Sequence, residues 1–203
     1  KIEHPMALEH LDDILDTADA VMVARGDLGV EIPLEEVPIA QQRIIDGALE
    51  RGMPVIVATQ MLETMTVNPR PTRAEVSDIS TAIRQGATGV MLSGETASGQ
   101  YPLEAVQTMA KIALSTEQGL DSSQLKPESV TRFKSTRAVA HAGVELAKMA
   151  KASRLLVATE RGNAPRLVSS YRPNIPITAV TNTIETARRV QLLPGVDSLV
   201  VEE

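Results

Sequence analysis

Asp27 is the residue with the most distinctive chemical setting in this sequence. It follows the apolar run Val21-Met22-Val23-Ala24 and lies between Arg25-Gly26 and Leu28-Gly29. Short β-branched runs are typical of buried parallel strands, and α/β folds place functional side chains at the carboxyl ends of such strands. We therefore predict that Asp27 lies on a tight loop at a strand tip, where its carboxylate can bind a hard cation such as Mg²⁺. Two ordinary roles compete with this one: capping of the next helix, and an ion pair with Arg25.

Polar side chains also follow the neighbouring apolar runs. Thr59 comes directly after the second run, and Ser93 and Glu95 follow the third, while Lys1 and Glu3 have the pattern of residues that follow a strand. Because the tips of adjacent parallel strands meet at one edge, we expect these residues to converge on one mouth. Two carboxylates and a lysine there suit a divalent metal with an anionic oxygen substrate, since the lysine can neutralise a phosphoryl group or an enolate. The alternative is a set of unrelated loop ends.

The elements that must position these residues repeat along the chain. Strand patterns begin near residues 20, 55 and 89, each followed by a helical pattern, and so recur about every 35 residues. One of the helices begins with a capping box at Thr72-Arg73-Ala74-Glu75. This repeat is typical of a (β/α)8 barrel. We predict an α/β fold in which residues 1–118 form the last three βα units of a partial TIM barrel.

A second domain is predicted after a polar stretch. Residues 119–134 are polar and contain Gly119 and Pro127, so we interpret them as a linker. Strand and helix patterns resume in residues 135–203 and predict an open α/β C-terminal domain, which we expect to be incomplete. Helical spacing further predicts buried faces on two helices. They are formed by Leu103, Val106, Met109, Ile112 and Ala113 in one helix, and by Ala138, Val139, Ala142, Leu146 and Met149 in another.

Composition excludes several classes of protein. The 203 residues are 43% hydrophobic and 23% charged, as in soluble globular proteins, and aromatic residues make up only 1%. The sequence contains no cysteine, which excludes disulfides and thiolate metal sites. A net charge of −6 gives no basic face for nucleic acid, no apolar run is as long as a membrane span, and the first residues are not a signal peptide. We expect a cytoplasmic protein with neither nucleic acid nor membrane as a partner.

Five segments, taken in order, resemble the successive motifs of the pyruvate kinase family. They are Lys1-Ile2-Glu3, Met22–Gly29, Ala58–Glu63, Pro69–Glu75 and Met91–Ala97. Their order and spacing make the resemblance specific, although no single motif would. It continues through Tyr171-Arg172-Pro173 and Ile177–Thr181, and therefore covers essentially the whole chain. The chain resembles the C-terminal part of the family: the last strands of the catalytic barrel and most of the regulatory domain.

The resemblance implies phosphoryl transfer from phosphoenolpyruvate to ADP, giving pyruvate and ATP in glycolysis. It implies that Lys1 stabilises the transferring phosphoryl group and the enolate, that the Thr59 hydroxyl lies over the enolate face, and that Ser93 acts with Glu95 as supporting network. It also implies that Glu3 and Asp27 are the ligands of Mg²⁺ or Mn²⁺. The implied catalytic residues are Lys1, Thr59 and Ser93; the implied substrate-binding residues are Lys1, Ala24, Arg25, Gly26, Asp27 and Thr59, with backbone N–H groups of Ala24, Arg25 and Gly26 facing the substrate carboxylate.

Parts of the family pattern have no counterpart here. The early strands, the small inserted β-domain, the nucleotide clamp and the K⁺ site are missing, so K⁺ is expected from the family but its site is not in this chain. The resemblance implies a homo-oligomer, tetrameric in the family. It also implies a loop for a phosphorylated allosteric effector, at Thr159, Arg161, Gly162, Asn163 and Arg166.

The effector loop departs from a simple phosphate site. Glu160 adds negative charge, and Ala164 and Pro165 remove a hydroxyl and an N–H donor, for which Arg161 and Arg166 partly compensate. We do not predict fructose bisphosphate as the effector. Helix N-termini bind anions readily, and the alternative is an ordinary βα loop without an effector.

Two other functions stay open at this point. One is an Mg²⁺-dependent, enolate-forming lyase of the phosphoenolpyruvate/pyruvate barrel type, which also uses a Glu and an Asp on the metal. The trailing α/β domain and the segments Thr59-Gln60 and Ser93-Gly94-Glu95 argue against it. The other is a non-catalytic regulatory or assembly module. We expect the 203-residue chain alone to be inactive, because nothing in it would clamp the nucleotide.

Overall fold

The computed structural model describes residues 1–120 and 134–201, which form two compact units. Each unit contains a three-stranded, fully parallel sheet, so the predicted α/β class is confirmed. The first unit consists of Lys1–Ala48 and Pro54–Leu120, and the second of Leu49–Met53 and the described part of Asp121–Glu203.

The first unit is built on strands β1 (Val21–Ala24), β2 (Val55–Ala58) and β3 (Gly89–Met91), in that order across the sheet. Their β-branched side chains fill the core, where Val23 and Val57 are fully buried. Ala24 is in register with Ala58, and Ala58 with Met91, so the strands end side by side. On the other side of β1, Ile2 forms an isolated parallel bridge with Val23. The residues beside Ile2 and those after each strand therefore share one edge.

Helices connect these strands and begin and end at recognisable residues. Thr72 Oγ1 accepts from the Glu75 amide at 3.2 Å, and the Thr72 amide donates to the Glu75 carboxylate at 2.7 Å, which confirms the capping box. Gly86, at φ 108°, ends the same helix in the left-handed region that favours glycine. The helices of this unit are α1 (Pro5–Glu9), α2 (Leu11–Thr17), α3 (Arg25–Glu31), α4 (Val37–Glu50, of which Leu49 and Glu50 are assigned to the second unit), α5 (Arg73–Gln85), α6 (Gly94–Ala97) and α7 (Pro102–Gln118), with 3₁₀ turns at Leu34–Glu36 and Glu63–Thr66.

Helix α3 replaces the tight loop that the sequence predicted after β1. It begins at Arg25, directly after the strand, and places Asp27 in its first turn, where a carboxylate suits the positive end of the helix dipole. Gly26 and Gly29 do not interrupt the helix. They allow close approach instead: a Cβ on Gly26 would lie 3.4 Å from Thr59 Oγ1, and one on Gly29 3.1 Å from a Leu34 methyl.

The second unit is built on strands β4 (Leu155–Ala158), β5 (Ile177–Thr181) and β6 (Val196–Val200), in that order. Its helices are α8 (Lys134–Met149), α9 (Asn163–Ser170) and α10 (Ile184–Val190), and its core includes Val144, Leu167, Ile177, Ala179 and Val190. Most of the predicted linker, residues 121–133, lies outside the described residues, and the domain boundaries stay a prediction. No helix within the two described ranges combines the length and hydropathy that a membrane span requires.

Two predicted helix faces are wrong in whole or in part. In α7, Leu103 and Val106 are exposed, whereas Ala105 and the correctly predicted Met109 are buried. In α8 every residue of the predicted face is exposed, and the buried stripe contains Ala140, Val144 and Ala147 instead. Helical periodicity fixes the spacing of a stripe, but where both sides of a helix carry apolar residues it does not determine which one turns inward.

Candidate active site

The ammonium group of Lys1 bridges two carboxylates. Its Nζ atom lies 2.9 Å from Oδ2 of Asp27 and is also paired with Oε2 of Glu3. The bridge between Ile2 and β1 holds Lys1 and Glu3 beside the strand tip, and the first turn of α3 supplies Asp27. The three side chains are about half exposed, at 53%, 40% and 58% for Lys1, Glu3 and Asp27, so a ligand can reach them. The sequence-predicted convergence of these three residues is present.

Each charge in this cluster stabilises its neighbours. Hydrogen bonds to Glu3 and Asp27 raise the pKa of Lys1, and the hydrogen bond from Lys1 lowers the pKa of Asp27. Two carboxylates that approach one cationic nitrogen can also approach one metal ion, and oxygen ligands are those that Mg²⁺ prefers. Within residues 1–120 and 134–201, no three His, Asp or Glu side chains form a metal-binding group. A cation held by Glu3 and Asp27 would therefore keep positions for water or substrate, as Mg²⁺ commonly does.

The turn after β2 brings Thr59 against the start of α3. The Gly26 amide donates to Thr59 Oγ1 at 2.8 Å, and the hydroxyl donates to the Ala58 carbonyl at 2.6 Å. Thr59 and Gln60 have φ values of 70° and 54°, in the left-handed region. For residues other than glycine such a conformation costs on the order of 1–3 kcal/mol and persists only where surrounding contacts enforce it. The Thr59 hydroxyl is therefore fixed beside the helical turn that carries Asp27.

The side chain of Arg25 is used inside the protein. Its Nη1 atom donates to both carboxylate oxygens of Asp78, at 2.8 and 2.6 Å, and the side chain is only 10% exposed. The alternative in which Asp27 pairs with Arg25 is therefore wrong. Asp78 was not singled out from the sequence, because a carboxylate in the middle of a helix gives no local signal of a partner 53 residues away.

Two of the backbone N–H groups expected to face a substrate carboxylate already have partners. The Ala24 amide donates to the Ile2 carbonyl at 3.1 Å, and the Gly26 amide to Thr59 Oγ1. An anion binding at this turn would compete with Thr59 for the Gly26 N–H.

Ser93 is linked to the neighbouring turn through a buried carboxylate. Glu95 is 1% exposed and accepts from the Leu62 amide at 3.0 Å and from the Ser93 amide at 2.7 Å. The segment after β3 is thereby tied to the segment after β2. Ser93 lies at the same edge of the sheet as Lys1, Glu3 and Asp27, and its amide is hydrogen-bonded to Glu95.

The loop predicted to bind an effector forms a compact turn after β4. The Gly162 amide donates to Thr159 Oγ1 at 2.9 Å, and Gly162 itself has φ 83° directly before α9. The Thr186 hydroxyl donates to the Glu160 carbonyl at 2.7 Å and ties the turn to α10. The predicted residues therefore lie around the first turn of α9: Thr159, Arg161, Gly162, Asn163 and Arg166.

Two family models match the chain. The model described as "Pyruvate kinase, barrel domain" matches residues 1–106, and the one described as "Pyruvate kinase, alpha/beta domain" matches residues 137–203.

Similar proteins and structures agree with these matches. The chain is 45% identical to a pyruvate kinase of Leishmania mexicana over 98% of its length, and 50% identical to one of Geobacillus stearothermophilus over 97%. A crystal structure of a pyruvate kinase from Cryptosporidium parvum superposes with a TM-score of 0.91 at 40% identity, over 98% of this chain and 41% of that one. The chain spans 41% of the Leishmania relative and 34% of the Geobacillus relative. It belongs to the pyruvate kinase family.

Proposed function

We propose that this chain corresponds to the C-terminal part of a pyruvate kinase, in which residues 1–118 supply the last three βα units of the barrel. The complete protein would transfer the phosphoryl group of phosphoenolpyruvate to ADP and release pyruvate and ATP. The observation that carries the proposal is the Lys1 ammonium group shared between Glu3 and Asp27. In-line phosphoryl transfer needs positioning and charge neutralisation more than covalent chemistry by the protein, and this cluster supplies both signs of charge at one strand edge.

In the proposed reaction Lys1 is the cationic partner of the transferring phosphoryl group and of the enolate oxygen. A preorganised cation at the place where charge develops is worth more than the same cation in water. Glu3 and Asp27 would hold Mg²⁺ or Mn²⁺. When bound, the divalent ion supplies additional positive charge for the oxygens of the substrate.

The remaining roles concern the substrate's carbon skeleton. The Thr59 hydroxyl would lie over the enolate face, and its geometry supports this role because the Gly26 amide and the Ala58 carbonyl fix its direction. Backbone N–H groups of Ala24, Arg25 and Gly26 would hold the substrate carboxylate, which requires the Ala24 and Gly26 groups to exchange their present acceptors, the Ile2 carbonyl and the Thr59 hydroxyl. Ser93 would act with Glu95, whose two hydrogen bonds keep the adjacent segments together.

The second unit is proposed as a regulatory domain. Its loop at Thr159–Arg166 would bind a phosphorylated allosteric effector. The complete protein would be a cytoplasmic homo-oligomer, tetrameric as in the family, and would take K⁺ at a site outside this chain. An enolate-forming lyase has no support from the comparisons, because both matching family models are those of pyruvate kinase.

The test is a chimera in which this chain replaces the aligned segment of the Leishmania mexicana relative, called the chimera below. Pyruvate formation from phosphoenolpyruvate is measured with and without ADP and with and without Mg²⁺. We expect turnover that requires both, with the unaltered relative as the positive control. A chimera that unfolds cooperatively like the relative but forms no pyruvate would contradict the proposed function.

A further inference from the structure

The Arg25 guanidinium makes five hydrogen bonds within the first unit. Two go from Nη1 to the Asp78 carboxylate. The other three go to successive carbonyls at the end of β2 and in the turn after it: from Nε to Ala58 at 3.3 Å, and from Nη2 to Thr59 at 2.5 Å and to Gln60 at 3.4 Å. An anionic ligand would have to compete with these partners for a guanidinium group whose side chain is only 10% exposed.

Asp78 anchors the guanidinium from helix α5. Its two oxygens meet Nη1 at 2.8 and 2.6 Å, and the arginine side chain is 90% shielded from solvent, with 10% exposed. The planar, multidentate shape of a guanidinium is what allows one group to hold a carboxylate and several carbonyls together, and a lysine ammonium does not reproduce it. Asp78 therefore both neutralises Arg25 and fixes its plane against the turn.

The turn at Thr59 and Gln60, to which Arg25 donates hydrogen bonds, has a strained backbone that needs stabilising contacts from outside the turn. Thr59 and Gln60 are consecutive non-glycine residues with positive φ, a conformation that requires compensation from the surroundings. Two hydrogen bonds fix Thr59: the Arg25 side chain donates to its carbonyl, and the Gly26 amide donates to its hydroxyl. Two adjacent residues of α3 thus determine where the Thr59 hydroxyl lies.

We infer that Arg25 and Asp78 are a positioning pair that holds the Thr59 hydroxyl where it would lie over the enolate face. We also infer that the Arg25 side chain is not a ligand of the anionic substrate. The inference rests on the proposed function, in which Thr59 is a catalytic residue. It gives a role to Asp78, which lies on α5 and does not belong to the cluster of Lys1, Glu3 and Asp27.

The inference is tested by kinetics of three single variants of the chimera: Arg25→Lys, Asp78→Asn and Thr59→Ala. Displacing a catalytic group by about 1 Å can cost on the order of a hundredfold, so we expect Arg25→Lys and Asp78→Asn to lower kcat by about tenfold to a hundredfold. KM for phosphoenolpyruvate should change much less. The exposed Arg84 at the end of α5 offers a matched control, and Arg84→Lys should leave both constants unchanged.

A double-mutant cycle separates positioning from a general structural effect. If Arg25 acts through Thr59, Arg25→Lys should lower kcat by less than about twofold when Thr59 is already alanine, since groups that work as one unit are not additive. Multiplicative losses in the double variant would overturn the inference. So would a raised KM with unchanged kcat in Arg25→Lys, which is the signature of a substrate ligand.

A readout without catalysis keeps this inference separate from the proposed function. In any folded chimera, exchange of the Gly26 amide hydrogen should be faster in Arg25→Lys and Asp78→Asn, because its acceptor is the Thr59 hydroxyl. Unchanged exchange in both variants would overturn the inference even if the chimera were inactive. Accelerated exchange in an inactive chimera would support the positioning pair and contradict the proposed function instead.

Discussion

The Nζ atom of Lys1 lies 2.9 Å from Oδ2 of Asp27, although Lys1 precedes α1 and Asp27 lies in α3, beyond β1. Both side chains are more than half exposed, at 53% and 58%. Exposed ion pairs of this kind contribute little to stability. The pair therefore contributes little to holding the fold together, as expected if its main role is the catalytic one proposed above.

Removing either partner should impair the reaction while sparing the fold. We expect Lys1→Met or Asp27→Ala in the chimera to lower kcat by about a hundredfold or more, because each loses a charge aimed at the transition state. The control is Lys111→Met, which removes an exposed lysine on α7, and thermal unfolding should be similar for all variants. Near-wild-type kcat in either site variant, with Mg²⁺ bound normally, would refute the assigned roles.

The convergence of Lys1, Glu3 and Asp27 could be predicted from the sequence. The β-branched runs identify β1 and β2 without reference to the rest of the chain, and parallel strands place their tips at a common edge. The residue that follows each strand is then brought to that edge by topology alone. Thr72 and Glu75 could be predicted as a capping box for a similar reason, since both partners lie within one helical turn.

The contacts that fix Thr59 could not be predicted from the sequence in this way. Threonine is β-branched and rarely adopts positive φ, so nothing in its type announces the turn at Thr59 and Gln60. Its support comes from Arg25 and Asp78, which are 53 residues apart and meet only after the sheet and α5 have packed. The same dependence on packing explains why periodicity gave the wrong buried face for α8.

Glu75 should make the first unit sensitive to acid. Burial opposes its ionisation, but hydrogen bonds from Thr64 and Thr72 outweigh that effect and hold its pKa below the ordinary value. Because the folded-state pKa is lowered, the stabilisation is present above the unfolded value of about 4.3 and is lost as pH falls through the folded value. We expect Glu75→Gln to lower the Tm of the chimera at pH 7, and the difference from wild type to narrow as the pH falls below about 4.

The measurement for Glu75 is thermal unfolding of both proteins across that pH range. Glu63→Gln, which changes another glutamate of the first unit, serves as the comparison for loss of a carboxylate alone. A Tm difference that stays constant from pH 7 to pH 3 would show that ionisation of Glu75 contributes nothing to the stability of the fold.

The 203-residue chain on its own should not catalyse phosphoryl transfer. It carries the proposed metal carboxylates, whereas the family resemblance implies that the nucleotide clamp is supplied by another part of the complete protein, so we expect ADP to lack a binding surface. We expect no pyruvate formation above background from the purified chain under conditions in which the chimera is active. Robust turnover, with contamination by a complete pyruvate kinase excluded by mass spectrometry, would disprove this expectation.

The last prediction concerns the outer edge of β1 in the isolated chain. There the only pairing within residues 1–120 is the bridge of Ile2, whose amide donates to Met22 at 2.8 Å and whose carbonyl accepts from Ala24 at 3.1 Å. Open sheet edges invite association with other chains, and each buried backbone group left unpaired costs roughly 1–3 kcal/mol. Such losses are large against a domain stability of about 5–15 kcal/mol. The second unit has its own paired strands and core, so it should depend less on what surrounds it.

We therefore expect the isolated chain to unfold without a single cooperative transition. Hydrogen exchange should be fast at Val21–Ala24 and Val55–Ala58, whose sheet has the open edge, and slower at Leu155–Ala158 and Ile177–Val180. The same amides of β1 and β2 should be protected in the chimera, because the relative supplies the neighbouring part of the fold. Uniformly slow exchange in both units of a monomeric chain would contradict the prediction, since it would mean that the bridge of Ile2 is enough to stabilise the edge of β1.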